Sequence, residues 1–447
     1  MEWQSRLIIV LKFLVVCLFV RHVGAKGFKN PETGTVWKIV KYTPEPNFEP
    51  YLLSTSQLIR EEGFLVEEHA AQTEDGYILG LHRIVNSAAN NSSKPPVLIM
   101  HGFMIASDNW LIQGRGHDLP YLMADAGFDV WLGDFRGNCY SRRHETLSPN
   151  DDLFWDFGPH EWGYYDLPAM IEYIRHETKK QQITYVGYSI GGGAFYLMCS
   201  TRPYYNNYIT SAIMLAPFVY GPREKKIRNN LLNFAKHAIK GHKQHERFEV
   251  FKRTPIHLKA VQKLTRIDAP SFKIMFLLFM DFFGDDIDQL DMLKFKQIAS
   301  AFGAGTSLKA MEHMVQLYES REFRKFDFGR TRNKKYYGTI EPPQYNLTKV
   351  TVPSCIYYGA NDYFVDFESI ERLSKILPNV VKKKMVPHKK LITLTFWLQL
   401  MRRLSCMMMS FLMHSALLIQ SKIILMYFRR KNNECVECLI IRPLCTF

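Results

Sequence analysis

A serine framed by glycines is the first residue here with chemistry to offer, in Gly187-Tyr188-Ser189-Ile190-Gly191. A β-rich run at 182–186 precedes it and a helix-compatible run at 192–198 follows. Strand, G-x-S-x-G turn and helix together describe a nucleophile elbow, the strained turn that pushes a serine Oγ into the open. Small residues flank the serine because strand and helix backbones approach closely there, so a larger side chain at Gly187 or Gly191 should clash. The pentapeptide also arises by chance, and the plain alternative is a glycine-rich connection in a Rossmann-like sheet. Its context makes Ser189 the candidate nucleophile.

Two further positions complete a constellation. The short apolar strand predicted at 96–100 ends in His101-Gly102-Phe103, and an H-G pair after such a strand is a place for an oxyanion-hole amide. The backbone N–H groups of Phe103 and Ile190 would face the same developing charge, each worth about 3 kcal/mol in the transition state. The His101 side chain itself is expected to be a packed, hydrogen-bonded loop histidine. Downstream, Ala360-Asn361-Asp362 sets a carboxylate just past a predicted strand at 353–359. An isolated Asp after a strand is ordinarily a helix cap, but the order Ser then Asp is that of a triad in which the acid orients an imidazole.

The elements that must position these groups alternate. Residues 73–84 read as a hairpin around an Asp75-Gly76 turn, 128–132 and 211–216 as strands, and 166–177 as a helix with Leu167, Ile171 and Ile174 on one face. Such alternation predicts an α/β fold, a mostly parallel sheet covered by helices on both faces. From 218 to 348 the strand rhythm stops and charged helical segments take over, which reads as an inserted cap. The cap's apolar run at 274–280, followed by Phe282-Phe283, is either a lipid-facing lid surface or ordinary packing. The chain thus divides into 1–25, a first core part 26–217, the cap 218–348, a second core part 349–390 and a tail 391–447.

At 447 residues and 47% apolar, the chain can bury a large core. Its formal charge of +14 is carried by basic residues that read as scattered, without a nucleic-acid motif, so a nucleic-acid partner is not expected. Residues 1–25 read as a secretory signal: Arg6, an apolar run over 7–20, and small residues at Val23-Gly24-Ala25. Secretory passage makes Asn90, Asn91 and Asn346 candidate glycosylation sites. The body holds only Cys139, Cys199 and Cys355, expected as buried free thiols.

These residues resemble one family closely, the acid lipases of the gastric and lysosomal type, and its insect members above all. The resemblance is carried by Thr73-Glu74-Asp75-Gly76-Tyr77, His101-Gly102-Phe103, residues 125–133, Arg136-Gly137-Asn138, Tyr165-Asp166-Leu167-Pro168-Ala169, Phe326-Asp327-Phe328-Gly329 and Leu377-Pro378-Asn379. It runs from about 30 to 390. Asp134 stands where the family has asparagine, and Tyr188 and Ile190 flank the nucleophile where histidine and glutamine are common. The resemblance implies an α/β-hydrolase fold with a lid-bearing cap, hydrolysis of acylglycerols or sterol esters at a lipid-water interface, no cofactor or metal, and secretion or lysosomal delivery.

The larger departure follows Lys390. The family carries an Asn-His-x-Asp-Phe segment there whose histidine is the general base, whereas Thr393 occupies that place. Threonine cannot take the serine proton, and loss of a triad member costs about four orders of magnitude or more in turnover. Residues 391–447 contain no Gly and no Asp, yet hold six of the 19 Met and four of the eight Cys. A change of reading frame accounts for this. Encoded as TTA ATC ACT TTG ACT TTT TGG and read from the third base, residues 391–397 become Asn-His-Phe-Asp-Phe-Leu. Met407-Met408-Met409, with its single codon, must then yield Asp-Asp.

The alternative is a true tail. Its apolar stretch at 404–428 would be a poor membrane span, broken by His414, Gln420 and Lys422, so no stable span is expected. The chain would then be an impaired lipid-binding or unstable homologue, unless His388 bent back to serve as base. The transcript sequence across the codons for residues 386–411 separates the two. One base different from the frame as written, restoring Asn-His-Phe-Asp-Phe, is the expected result; an unchanged frame would leave Ser189 and Asp362 without that histidine.

Overall fold

Short apolar runs become the strands of one central sheet. The computed structural model describes residues 27–30, 34–38, 40, 46–85, 94–223, 225–244, 248–268, 271–274, 276, 294–360 and 362–386. The signal segment, Asn90, Asn91, Asn361, His388 and the tail from 391 lie outside the described residues. A small antiparallel ladder of β1 (Gly27–Lys29) and β2 (Val36–Lys38) comes first. The nine-stranded sheet consists of β3 (Leu65–Gln72), β4 (Tyr77–Val85), β5 (Val97–Met100), β6 (Val130–Gly133), β7 (Arg143–His144), β8 (Ile183–Tyr188), β9 (Ile209–Leu215), β12 (Ser354–Tyr358) and β13 (Val380–Met385). The spatial order is β13-β12-β9-β8-β5-β6-β4-β3, with β7 beside β4.

From β13 to β6 every neighbouring pair is parallel, and β4 joins β6 and β3 antiparallel. Every residue of β5, β6, β8 and β12 is buried, because helices cover both faces of a parallel sheet and leave no polar side to alternate with. Along β5, Leu98 and Met100 enter one apolar cluster while Val97 and Ile99 enter the other, so the sheet separates two half-cores. Edge strand β13 alternates between half-buried and exposed residues, as an edge with one wet face should.

The core helices are α1 (Thr55–Glu61), α2 (Leu119–Asp125), α3 (Leu167–Thr178), α4 (Ile190–Thr201) and, at the far end of the chain, α10 (Phe367–Ile376). Between β9 and β12 the described residues contribute no strand to the large sheet. They form α5 (Lys225–Gln244), α6 (Pro255–Leu264), α7 (Phe295–Ala301), α8 (Leu308–Ser320) and α9 (Arg330–Tyr337), with a two-residue ladder of β10 (Glu249–Val250) on β11 (Thr306–Ser307). Of the apolar run at 274–280, Ile274 is 62% exposed, whereas Phe276 is buried against Phe272 and Phe295. The rest of that run, with Phe282 and Phe283, lies outside the described residues.

A buried ion cluster ties together three of the segments that carried the family resemblance. Arg136, 1% exposed, donates from Nη1 and Nη2 to Asp75 at 2.5 and 2.8 Å and from Nε to Asp166 at 2.7 Å. Its guanidinium also lies 4.0 Å from the centre of the Tyr77 ring. Two carboxylates on one guanidinium offset the cost of burying that charge, and bidentate geometry leaves few donors idle. The hairpin turn, the loop after β6 and the start of α3 are thereby held at fixed separations.

Candidate active site

The site begins at the turn from β8 into α4. Ser189 sits at φ 52° and ψ −117°, a conformation that costs a non-glycine residue about 1–3 kcal/mol. Four hydrogen bonds hold it there. Its N–H donates to Leu215 O at 2.9 Å, and its carbonyl accepts from Gly192, Gly193 and Phe218 N–H groups at 3.0, 3.2 and 2.9 Å. The expected clashes are present on both sides: a Cβ on Gly187 would lie 2.8 Å from Gly192 N, and one on Gly191 would lie 2.8 Å from His101 O. The side chain is half-buried, and Oγ makes no hydrogen bond among the described residues.

The loop after β5 comes directly against this turn. A Cβ on Gly102 would stand 2.9 Å from the Tyr188 ring and 3.4 Å from Ser189 Cβ, so only glycine lets the loop lie that close. The N–H groups of Phe103 and Ile190 donate to nothing among the described residues. His101 explains the setting of the loop. Its ring is buried; Nε2 accepts from the Phe135 N–H at 3.2 Å, so Nδ1 carries the proton and donates to Gly102 O at 2.8 Å. That carbonyl and the Phe103 N–H belong to one planar peptide and point in opposite directions, so tethering one aims the other. Burial holds the His101 imidazole below its usual range, which keeps Nε2 an acceptor in mildly acidic solution.

Beneath the loop lies a polar cluster that the sequence did not announce. Asp134 is fully buried; Oδ1 accepts from Ser107 N–H at 2.9 Å and Asn138 Nδ2 at 2.7 Å, and Oδ2 lies 3.5 Å from His82 Nδ1. Burial alone would raise the Asp134 carboxyl, but the His82 ring, through its hydrogen bond and charge, leads the groups that outweigh it and hold it below the usual carboxylate range. The signal was available in the Arg136-Gly137-Asn138 motif and in the departure at Asp134, yet neither residue reveals its partners by spacing. The segment between β9 and β12 fastens here too: Arg253 pairs with Asp108, and the Gly303 and Ala304 amides donate to Met104 O at 3.0 and 2.8 Å.

Asp362 arrives from the other side of β9. Tyr188 of β8 and Tyr357 of β12 both register with Leu215, so the strands leading to Ser189 and to Asp362 end at the same edge of the sheet, two strand spacings or roughly 10 Å apart. Asp362 is 7% exposed, and its Oδ1 accepts from Phe364 and Val365 N–H groups at 2.9 and 3.0 Å. The carboxylate is therefore oriented by its own turn. Tyr188, which sequence reasoning noted only as a departure, is buried near that carboxylate; burial first, and the Asp362 charge second, push its hydroxyl well above the usual range. Val386 N–H donates to Tyr358 O at 3.0 Å, so the chain leaving β13 departs beside the acid's strand.

Asn346 is exposed, with Oδ1 accepting from Thr348 Oγ1 at 2.6 Å. Cys139, Cys199 and Cys355 are buried and free, as expected. Among the described residues no cluster of His, Cys, Asp or Glu is placed to hold a metal ion, and no helix is long and apolar enough to cross a membrane.

A nine-stranded, mostly parallel sheet with a serine at a strained strand-to-helix turn defines the class: an α/β hydrolase. Residues 95–390 match the alpha/beta hydrolase fold family, and residues 55–114 match the partial alpha/beta-hydrolase lipase region. Lipase 1 of Drosophila melanogaster is 35% identical over 341 residues, 76% of this chain and 74% of that protein. Human gastric triacylglycerol lipase is 31% identical, covering 76% and 86% of the two chains, and human lysosomal acid lipase/cholesteryl ester hydrolase is 32% identical, covering 84% and 91%. A crystal structure from Sulfolobus solfataricus, 15% identical, superposes with a TM-score of 0.52 over 84% of this chain and 98% of its own, which bears on the fold alone. The chain belongs to the lipase family of α/β hydrolases, and carboxylic ester hydrolysis is the activity that membership carries.

Gly102→Ala tests the loop geometry. The added Cβ must push the loop off Tyr188 and Ser189, so in the chain ending in the restored frame kcat on a soluble short-chain ester should fall about 10²- to 10³-fold, the cost of one misplaced oxyanion donor. The thermal unfolding midpoint should change little, and an unchanged kcat would remove the loop from the site.

Proposed function

We propose that this chain is a secreted or lysosomal lipase hydrolysing acylglycerols or sterol esters through a serine-bound acyl intermediate. The observation carrying the reading is the strained Ser189 turn facing two uncommitted backbone N–H groups, in a chain of the lipase family. Ser189 Oγ attacks the ester carbonyl while a histidine takes its proton. The Phe103 and Ile190 N–H groups hold the oxyanion, collapse expels the alcohol with the histidine's proton, and an acyl-serine remains. Water, deprotonated by the same histidine, then releases the fatty acid and restores the hydroxyl. Asp362 orients that imidazole and stabilises it while charged.

The base in this reading is the histidine of the shifted frame. Two observations support it: the hydrolase-family match stops at residue 390, where the written sequence departs, and the chain leaves β13 beside the strand of Asp362. The names of the gastric and lysosomal relatives support triacylglycerol and cholesteryl ester as substrates met at a lipid-water interface. The reading needs no cofactor. Residues 1–25 would direct secretion, and Asn346, exposed with its amide oxygen on the sequon hydroxyl, joins Asn90 and Asn91 as a glycosylation site.

The test is hydrolysis of emulsified triacylglycerol and cholesteryl ester by the chain ending in the restored frame. Fatty acid release is expected, with Ser189→Ala lowering kcat by about four orders of magnitude or more. Equal rates in the two proteins would overturn the assignment.

A further inference from the structure

The positive charge is not scattered. Residues 223–273 hold 14 Lys and Arg against four Asp and Glu, a balance of +10 within a chain whose total is +14. That correction to the sequence reading directs attention to α6, the helix at the centre of the described part of this stretch.

α6 has one buried side and one unusual exposed side. Leu258 is fully buried in a cluster with Phe48, Leu52, Ala106 and Ala304, which seats the helix on the segment following the Phe103 loop. The opposite face carries Ile256, Lys259, Lys263 and Leu264 at the i, i+3, i+7, i+8 spacing of one stripe, and Ile267 is exposed in the turn that follows the helix. Ile256 is 83% exposed, Ile267 64% and Leu264 40%. Lys259 and Lys263 have no ion-pair partner among the described residues. Lys273 and Ile274, both exposed, repeat the pairing of a cation with an apolar tip.

Water alone does not favour this stripe, since three large apolar side chains remain wet and two ammonium groups go unmatched. An acidic protein would match the lysines and leave the isoleucines unexplained. A lipid surface with anionic headgroups meets both: apolar tips reach the acyl boundary while lysines lie at headgroup level. We propose that the outer face of α6, together with Lys273 and Ile274, docks the protein on an anionic lipid surface. The lipase reading supplies the reason for meeting lipid at all, while the charge preference comes from α6 itself.

Flotation of the full chain with phosphatidylcholine vesicles, with and without phosphatidylserine, tests this. Binding should be much stronger with phosphatidylserine and should weaken as salt is raised. Each surface lysine contributes roughly fivefold, so Lys259→Gln/Lys263→Gln should lower the partition coefficient about 30-fold. Ile256→Ser/Ile267→Ser should also lower it, and should do so at high salt. All these positions are exposed, and an unchanged thermal unfolding midpoint certifies the variants. Equal binding to both vesicles, variants that bind as the parent does, or retention on polyglutamate without vesicle binding would overturn the proposal. Both assays use the chain ending in the restored frame, and its hydrolysis of a soluble short-chain ester separates the two claims. Charge-selective binding without hydrolysis would remove the lipase and leave the surface; hydrolysis without selective binding would do the reverse.

Discussion

Everything at the candidate site depends on one strained turn. Ser189 holds a positive φ because its N–H and carbonyl are bonded on both sides, to β9 below and to the first turn of α4 and Phe218 above. That turn brings β8 and α4 close together, which is why Gly187 has no room for a Cβ, while Gly191 has none because the end of β5 and His101 lie against it. The start of α4 lies against the end of β5, and the His101 ring, bonded to the Gly102 carbonyl, fixes the peptide that carries the Phe103 amide beside the serine turn. The scaffold spends backbone strain at one residue and obtains pre-positioned donors in return.

The remaining parts are placed by the sheet. Parallel strands release their loops at one edge, and β8, β9 and β12 register so that serine and acid emerge two strands apart. An imidazole with a hydrogen bond at each ring nitrogen suits such a gap once the loops lean together. The strand after the acid is β13, whose exit lies beside β12. The proposed triad takes its histidine from beyond β13, where the written sequence has His388, five residues before the place of the family's base, and Thr393 at that place. In the reading proposed above, the shifted frame supplies that histidine.

Much of this was legible in the residues. Buried parallel strands read as short continuous apolar runs, and the serine elbow carries its glycines beside it, so β5, β6, β8, β9 and β12 and the position of Ser189 follow from local pattern. Asp362 was singled out by chain order alone. What local pattern could not disclose is contact across the chain: Arg136 bridging Asp75 and Asp166, His101 tethering the Gly102 carbonyl, Asp134 meeting His82, and Arg253 reaching back to Asp108. Each joins residues that no periodicity relates. The exposed stripe on α6 was also hidden, because apolar residues at helical spacing ordinarily face inward, and only burial distinguishes the two cases.

The central claim is that Ser189 is an activated nucleophile whose base is encoded in the shifted frame. Reaction with a serine-directed phosphonate, followed by mass mapping of the adduct, measures that activation directly when the written chain and the frame-restored chain are compared side by side. The account predicts rapid labelling at Ser189 in the restored chain and labelling slower by about four orders of magnitude in the written one. Equal, rapid labelling of Ser189 in both chains would show that the histidine is supplied from elsewhere and would contradict the account.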